Sequence, residues 1–110
     1  MVGQGEIIYI DFAPTKGRKQ SGECPVVVVS NTKYNLQSGF VLACPITSTT
    51  RAMNIRIPLD EHTTAKGDIL CEQSRLIDLR ERLFRKVETV SAKTLHNVYK
   101  VINALIVPMI

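Results

Sequence analysis

Four consecutive valines, Val26 to Val29, follow Pro25 and constrain the fold of this chain more than any other segment. Valine branches at Cβ, which lowers its preference for a helix and raises its preference for a strand. A proline is tolerated at the first residue of a strand, because its missing N–H is not needed there. We therefore predict a central strand that begins at Pro25.

An alternating pattern predicts another strand before the valine run. Between residues 7 and 12, the even positions from Ile8 to Phe12 are apolar and would face one side, as in a half-buried strand. Pro14 and Gly17 would end it. Further strands are predicted at 40–45, stopped by Pro45, at 54–59, at 69–77 with a polar middle, and at 83–89 after a single turn at 79–82. The polar segment 31–39 is interpreted as a turn region.

Only the end of the chain has a clear helical pattern. Ser91 is suited to cap the first turn, and apolar residues then recur at spacings of three and four until Pro108. The apolar stripe consists of Leu95, Val98, Tyr99, Ile102, Leu105 and Ile106. Five or six short strands packed by one terminal helix predict a mainly β fold, a strongly bent antiparallel sheet or partly open barrel.

A chain of 110 residues is long enough for one modest core and too short for two, so we expect a single domain over residues 1–110. No apolar run approaches the ~20 residues that span a bilayer, and the N-terminus has no secretory pattern, so we expect no membrane association and a cytoplasmic location. The cysteines, Cys24, Cys44 and Cys71, have no zinc-ribbon spacing, which predicts reduced thiols, with Cys44 and Cys71 in the core.

The charge distribution favours an anionic partner. The net charge is +4, and three cations, Lys16, Arg18 and Lys19, lie in one glycine-flanked loop. A cluster of this kind is most often a solvated face. The segments that flank the loop therefore decide how it is interpreted.

These flanking segments form a recognisable pattern together with two later ones. In chain order they are Gly5-Glu6-Ile7, Pro14-Thr15-Lys16-Gly17, Gln20-Ser21-Gly22, Cys24-Pro25, Pro45-Ile46-Thr47 and Glu72-Gln73-Ser74-Arg75. In order and spacing the set resembles the MazF/PemK toxins, which are small bacterial endoribonucleases that cut single-stranded RNA. Either of the later segments alone would be a weak indication.

The resemblance implies an SH3-like barrel with a C-terminal helix, and a homodimer whose groove crosses the two-fold interface. It implies attack of an RNA 2'-hydroxyl on its own phosphate, which leaves a cyclic phosphate and a free 5'-hydroxyl and needs no metal or other cofactor. The implied partners are single-stranded RNA and a cognate antitoxin with an acidic, partly disordered C-terminal segment.

The catalytic residues that the resemblance assigns are Cys24, Thr47 and Glu72. In relatives an arginine stands at the position of Cys24, where it grips phosphate through two parallel N–H bonds. The threonine that matches Thr47 would donate its hydroxyl to the same phosphate, although a threonine in a turn can instead cap backbone groups. Glu72 is a candidate base, since some relatives use an acid in this strand, and equally a candidate ion-pair partner of Arg75 or Arg56.

Cysteine cannot replace that arginine. A thiol is largely protonated at pH 7, and even a thiolate would repel phosphate. Loss of one preorganised donor lowers a rate by ~10²-fold to 10³-fold. Two alternatives follow: the chain is catalytically impaired, or Arg18 and Lys19 replace the missing cation. Lys19 itself stands where many relatives have glutamate.

Six residues are candidates for RNA binding, because their cations and amides suit phosphates and unstacked bases. They are Lys16, Arg18, Lys19, Gln20, Gln73 and Arg75. His62 and His96 are too far apart in the sequence to predict a paired acid and base, and we expect both on the surface.

A function of a different class is also open. The same barrel is used by a gyrase-poisoning toxin, so the chain could be a non-catalytic toxin that binds a protein. The hydroxyl-rich loop 47–50 and the basic loop 16–19 favour RNA, whereas an apolar groove in this region would favour a protein target.

Overall fold

Seven strands form one antiparallel sheet in the part of the chain that the structure describes, residues 2–12, 22–49 and 55–109 of a computed structural model. The strands are β1 (Glu6–Asp11), β2 (Glu23–Val28), β3 (Phe40–Thr47), β4 (Arg56–Pro58), β5 (Asp68–Leu70), β6 (Arg75–Asp78) and β7 (Phe84–Thr89). The helices are α1 (Thr32–Ser38) and α2 (Ala92–Ile106). Short 3₁₀ turns lie at Cys71–Gln73 and Leu79–Glu81.

The strand order leaves the barrel open. The strands follow the order β4-β5-β3-β2-β1-β7, and β6 pairs with the first half of β3. The strands at the two ends, β4 and β7, are not paired with each other within the described residues. The predicted mainly β fold, an antiparallel, partly open barrel with a C-terminal helix, is confirmed.

The valine strand is central, as predicted, but it begins earlier than Pro25. β2 lies between β1 and β3, and the side chains of Val26 to Val28 are fully buried or nearly so. It starts at Glu23, which pairs with Asp11 of β1. Pro25 is therefore an internal strand residue and lies opposite Tyr9.

The prediction that Pro45 stops its strand is wrong, because β3 continues to Thr47. Pro45 falls between the residues of β3 that pair with β6, up to Ala43, and those that pair with β5, from Ile46. Proline is tolerated at such an irregularity, since the sheet needs no N–H there. The extension matters because it places Thr47 at the end of a strand.

The predicted long strand at 69–77 is instead two strands, β5 and β6, separated by the turn Cys71–Gln73. β5 pairs with the end of β3 and β6 with its beginning, so the chain has to step along β3 between them. The polar residues in the middle of the segment form this step. They lie exposed at Glu72 and Gln73, whereas Cys71 is fully buried.

The interpretation of 31–39 as a turn region is wrong, because it contains α1. The helix is short and has no apolar stripe, but both of its ends are capped. The Asn31 side chain accepts a hydrogen bond from the Tyr34 N–H at 2.8 Å, and Gly39 closes the helix with a left-handed φ of 76°. Asn35 is buried and donates to the Val2 carbonyl at 3.1 Å, which ties α1 to the start of the chain.

The C-terminal helix agrees with its prediction at both ends. Ser91 Oγ accepts from the Thr94 N–H at 3.1 Å, and α2 ends at Ile106, two residues before Pro108. Its apolar stripe is only partly covered: Val98 is fully buried, but Tyr99 is 62% exposed. The last turn is exposed as well.

Two apolar clusters lie on the two faces of the sheet. The first includes Ile7, Val27, Cys44 and Cys71 and is covered by α2. Burial, with smaller contributions from the Cys71 thiol and the charge of Glu72, raises the pKa of Cys44 to about 12, and burial with the charge of Glu72 raises that of Cys71 to about 11. Both thiols are thus neutral core groups, as predicted.

The second cluster lies on the opposite face and includes Ile8, Ile10, Val26, Val28, Val41, Ala43 and Ile77. Phe12 packs against it, which confirms the predicted even-numbered apolar face of β1. The prediction that β1 is only half-buried is wrong, because Ile7 on its other face is fully buried in the first cluster. Both histidines, His62 and His96, are exposed. Neither described helix is long and apolar enough to cross a membrane.

Candidate functional site

Cys24 is the second residue of β2 and lies exposed at the end of the sheet. It pairs with Ile10 of β1, and by strand alternation it shares a face with Val26 and Val28. That face carries the second apolar cluster. Cys24, where the MazF/PemK motif has arginine, thus lies at the solvent-exposed end of this apolar face.

A pocket of about 250 Å³ lies beside Cys24 on this face. The polar groups that line it are Cys24, Gln73 and Arg75; the apolar ones are Phe12, Val26, Ala43, Pro45 and Ile77. The volume is below the ~300 to 1,000 Å³ of sites that enclose a drug-sized ligand, so it suits one base or phosphate of a longer chain. Three of the residues predicted from the sequence therefore meet in one place.

The aromatic ring of Phe12 organises the cations at this pocket. The Arg75 guanidinium carbon lies 4.4 Å from the centre of the Phe12 ring, and that of Arg82 lies 5.2 Å from it. Both distances are within the ~6 Å at which a cation is attracted to an aromatic face. Arg82 Nη1 also donates to the Phe12 carbonyl at 2.8 Å, which fixes the backbone that carries the ring.

Thr47 is the last residue of β3 and lies at the same end of the sheet as Cys24, because β2 and β3 are antiparallel. Its Oγ1 accepts a hydrogen bond from the Thr49 N–H at 3.2 Å, so the turn-capping role is present. A hydroxyl that accepts keeps its own hydrogen for donation to another group. Gly67 packs so closely that a Cβ there would overlap the Thr47 carbonyl.

Glu72 lies next to Gln73 in the turn Cys71–Gln73 and is exposed. It is not among the residues that line the pocket, and none of the described cations lies within ion-pair distance of it. The predicted ion pair with Arg75 or Arg56 is therefore not formed in the described residues. The carboxylate is close enough to Cys44 and Cys71 to raise the pKa of both thiols.

A family model described as "PemK-like, MazF-like toxin of type II toxin-antitoxin system" matches residues 3–106 of this chain. The chain belongs to this family. The endoribonuclease toxin MazF of Escherichia coli strain K12 is 34% identical over 102 residues, which cover 93% of this chain and 91% of the relative. The endoribonuclease PemK of Escherichia coli is 30% identical over 101 residues, covering 86% and 74%.

Solved MazF structures have the same fold. The crystal structure of MazF from Deinococcus radiodurans is 28% identical, with a TM-score of 0.81 over 94% of each chain. A MazE-MazF crystal structure from the same organism is 27% identical, with a TM-score of 0.85 over 94% of each chain. The fold of this PemK-like toxin therefore agrees with its sequence relationship.

Four of the RNA-binding residues predicted for this PemK-like toxin lie outside the described residues: Lys16, Arg18, Lys19 and Gln20. The structure thus brings together Cys24, Gln73 and Arg75, with Thr47 at the same end of the sheet. Among the described residues, no group of His, Cys, Asp and Glu side chains could hold a metal ion.

The sequence of this PemK-like toxin gives no indication of the contribution of Arg82 and indicates only packing for Phe12. Arg82 lies in the segment after β6, and nothing in its spacing relates it to residue 12. Phe12 is the last residue of an apolar face, so its pattern indicated only packing. A signal was present in retrospect: a large aromatic residue at the open end of a strand, next to a basic loop.

Proposed function

We propose that this chain is a metal-independent endoribonuclease toxin of a type II toxin-antitoxin system, and that Cys24 impairs its catalysis. It cleaves single-stranded mRNA by attack of the 2'-hydroxyl on the adjacent phosphate. One observation carries this proposal: Cys24, Gln73 and Arg75 line one pocket in a chain that is 34% identical to an endoribonuclease toxin. As one toxin domain over residues 1–110, it acts in the cytoplasm, where its substrate is found.

The chemistry requires positioning, proton transfer and stabilisation of charge on the phosphorane oxygens. Thr47 donates its hydroxyl to a phosphate oxygen. Glu72, next to Gln73 in the chain, accepts the proton of the 2'-hydroxyl once the RNA brings that group within reach, and the departing 5'-oxygen takes a proton from water. Gln73 and Arg75 hold the nucleotide, while Cys24 stands where relatives place a cation.

The test is cleavage of one long single-stranded RNA in the presence of a chelator. The expected products carry a 2',3'-cyclic phosphate and a 5'-hydroxyl, and Thr47→Val reduces their rate of formation. Products with 5'-phosphates, or cleavage that the chelator abolishes, would contradict the proposed reaction. A preparation that cuts no RNA, even with arginine restored at position 24, would contradict the nuclease function.

The basic loop should contribute to binding without contributing to the chemistry. We expect simultaneous replacement of Lys16, Arg18 and Lys19 by alanine to weaken RNA binding, with the slope of log K against log salt reduced by ~0.7 for each phosphate that the loop no longer neutralises. A titration of labelled RNA at several salt concentrations measures this. An unchanged slope would mean that the loop is only a solvated face.

The partners we propose are single-stranded RNA and a cognate antitoxin whose acidic C-terminal segment binds the same positive groove. The support is a related fold solved as a MazE-MazF structure and the net charge of +4. Opposite charges favour one shared groove over two separate sites. In the RNA titration, an acidic antitoxin tail should therefore displace the RNA, and simultaneous binding without loss of affinity would contradict a shared groove.

We also propose that the chain is a homodimer, and the exposed apolar side of α2 supports this. Tyr99 is 62% exposed, Ile106 is 71% exposed and Met109 is 94% exposed. Tyr99 and Ile106 lie seven residues apart on one side of α2, and Met109 follows the helix; exposed apolar residues of this kind mark a protein interface. A two-fold contact would cover this surface with the same surface of a second copy of the chain.

Tyr99→Glu should convert this dimer to a monomer, because it places a charge within an apolar contact. Sedimentation at micromolar concentration measures the change. Leu83→Glu is the matched control: Leu83 is 73% exposed on a different part of the surface, and its replacement should leave the dimer intact. A native monomer at this concentration, or a dimer that tolerates Tyr99→Glu, would place the interface elsewhere or exclude it.

A protein-binding toxin of the gyrase-poison type is the alternative function. A purely apolar pocket would favour it, but Gln73 and Arg75 contribute polar groups to this one. The relatives named above are endoribonucleases, which also favours RNA.

A further inference from the structure

We propose that Arg75 supplies part of the phosphate-binding role that Cys24 cannot perform, so that the cation now present at this site comes from β6 instead of β2. The inference rests on the proposed function and identifies the residue that contacts the RNA phosphate. It differs from a replacement by Arg18 or Lys19, because Arg75 lies in the pocket itself.

Arg75 and Cys24 approach the pocket from opposite sides. β3 lies between β2 and β6, with Ala43 paired to Arg75 on one side and to Val28 on the other. β2 and β6 are therefore about 10 Å apart, and Cys24 lies four residues, about 13 Å, further along β2 than Val28. The Arg75 side chain extends toward the end of β2 that holds Cys24, because its guanidinium lies against Phe12, two residues after the Ile10 that pairs with Cys24.

The way in which Arg75 is held leaves its donors available. Its guanidinium carbon lies 4.4 Å from the centre of the Phe12 ring, and the attraction of a cation to an aromatic face uses no N–H hydrogen bond. The N–H groups that grip phosphate through two parallel bonds therefore remain available. Arg82 steadies the platform by donating to the Phe12 carbonyl.

The neighbouring arginines are already engaged. Arg80 pairs with Asp78 at 2.9 Å and Arg85 with Glu23 at 3.2 Å. Arg82 donates to a backbone carbonyl. Within residues 2–12, 22–49 and 55–109, by contrast, no carboxylate lies within ion-pair distance of Arg75. An exposed cation that is held against an aromatic ring and has no carboxylate partner in these residues is suited to bind an anion.

The test is a double-mutant comparison of positions 24 and 75. Arg75→Ala should reduce RNA cleavage by the native chain by ~10²-fold, the usual effect of losing one preorganised donor. In the Cys24→Arg background, Arg75→Ala should reduce the rate of cleavage much less, about threefold, because the restored arginine then holds the phosphate. The cleavage rate of Arg75→Lys should lie between those of the native chain and Arg75→Ala, since lysine keeps the charge but not the planar fork.

Arg80→Ala is the matched control, because it removes an equal charge from a paired arginine outside the pocket lining. It should leave cleavage unchanged in both backgrounds. An equal loss from Arg75→Ala in both backgrounds would overturn the proposal, since the two positions would then act independently. No loss in either background would overturn it too.

A binding measurement separates this inference from the nuclease function. With an RNA blocked by 2'-O-methyl groups, Arg75→Ala should reduce the salt slope by ~0.7, the value for one phosphate contact on a single strand. Arg80→Ala should not change it. If neither the native chain nor Cys24→Arg cuts RNA, the proposed nuclease function is wrong, and the salt slope alone tests the role of Arg75. A reduced slope then supports the phosphate contact of Arg75, and an unchanged slope overturns it.

Discussion

Cys24→Arg should raise the rate of RNA cleavage by ~10²-fold or more, the largest gain that we expect from one substitution. The change returns a permanently charged, bidentate donor to the edge of the pocket. Cys24 is exposed at the end of β2, so the longer side chain can extend toward solvent and the bound phosphate without disturbing the core. Single-turnover cleavage of one RNA by both proteins measures the effect.

Two further substitutions at the same position make this result specific. Cys24→Ser is the neutral control and should give no gain. Cys24→Lys returns the charge without the planar fork, so its gain should be smaller than that of arginine. Equal cleavage by the native chain and Cys24→Arg would show that existing cations already perform the full role.

Gly67→Ala should destabilise the protein by about 3 kcal/mol, because it combines backbone strain with a steric overlap. Gly67 has a φ of +130°, which residues with a Cβ rarely adopt, and the new Cβ would overlap the Thr47 carbonyl. For a domain of this size, 3 kcal/mol lowers Tm by about 12 °C or more. Thermal unfolding followed by circular dichroism measures the shift.

Gly22→Ala provides the matched control for this prediction. Gly22 is exposed, and a Cβ added there would meet no described atom within 4 Å. Its Tm should change by no more than a degree or two. A similar, small effect at both glycines would mean that the end of β3 moves easily, and that Thr47 is less precisely positioned than the structure indicates.

Much of the fold could be predicted because several segments have an apolar pattern that matches their burial. β2 is a β-branched run that is buried on both faces, and α2 has an apolar stripe behind a serine cap. The alternation of β1 identified its even-numbered face, although Ile7 on the other face is buried as well. The same logic identified Cys44 and Cys71 as core residues.

The remaining elements depend on contacts that a pattern does not record. α1 has no apolar stripe, and its stability comes from Asn31, Gly39 and the buried Asn35. The division of 69–77 into β5 and β6 follows from where β3 offers free edges, not from the residues of the segment itself.

Some residues of the candidate site could likewise be predicted from the sequence, and others could not. The motif positions Cys24, Gln73 and Arg75 came from the resemblance and meet in one pocket. The contact of Arg75 with Phe12 and Arg82 could not be predicted from the resemblance. Phe12 and Arg82 are 70 residues apart and are joined by one hydrogen bond and one ring contact. Interactions over such separations are visible only once the sheet is assembled.

The strand order also has a consequence for how the protein is made. The pocket takes Phe12 from the end of β1, Cys24 from β2 and Arg75 from β6, so it needs residues from both halves of the chain. Synthesis proceeds from the N-terminus at ~5 to 20 residues per second, and β6 emerges from the ribosome only after most of the sheet. A nascent chain interrupted before β6 has no pocket. A cell that translates this toxin is therefore exposed to the candidate site only after most of the chain has been made.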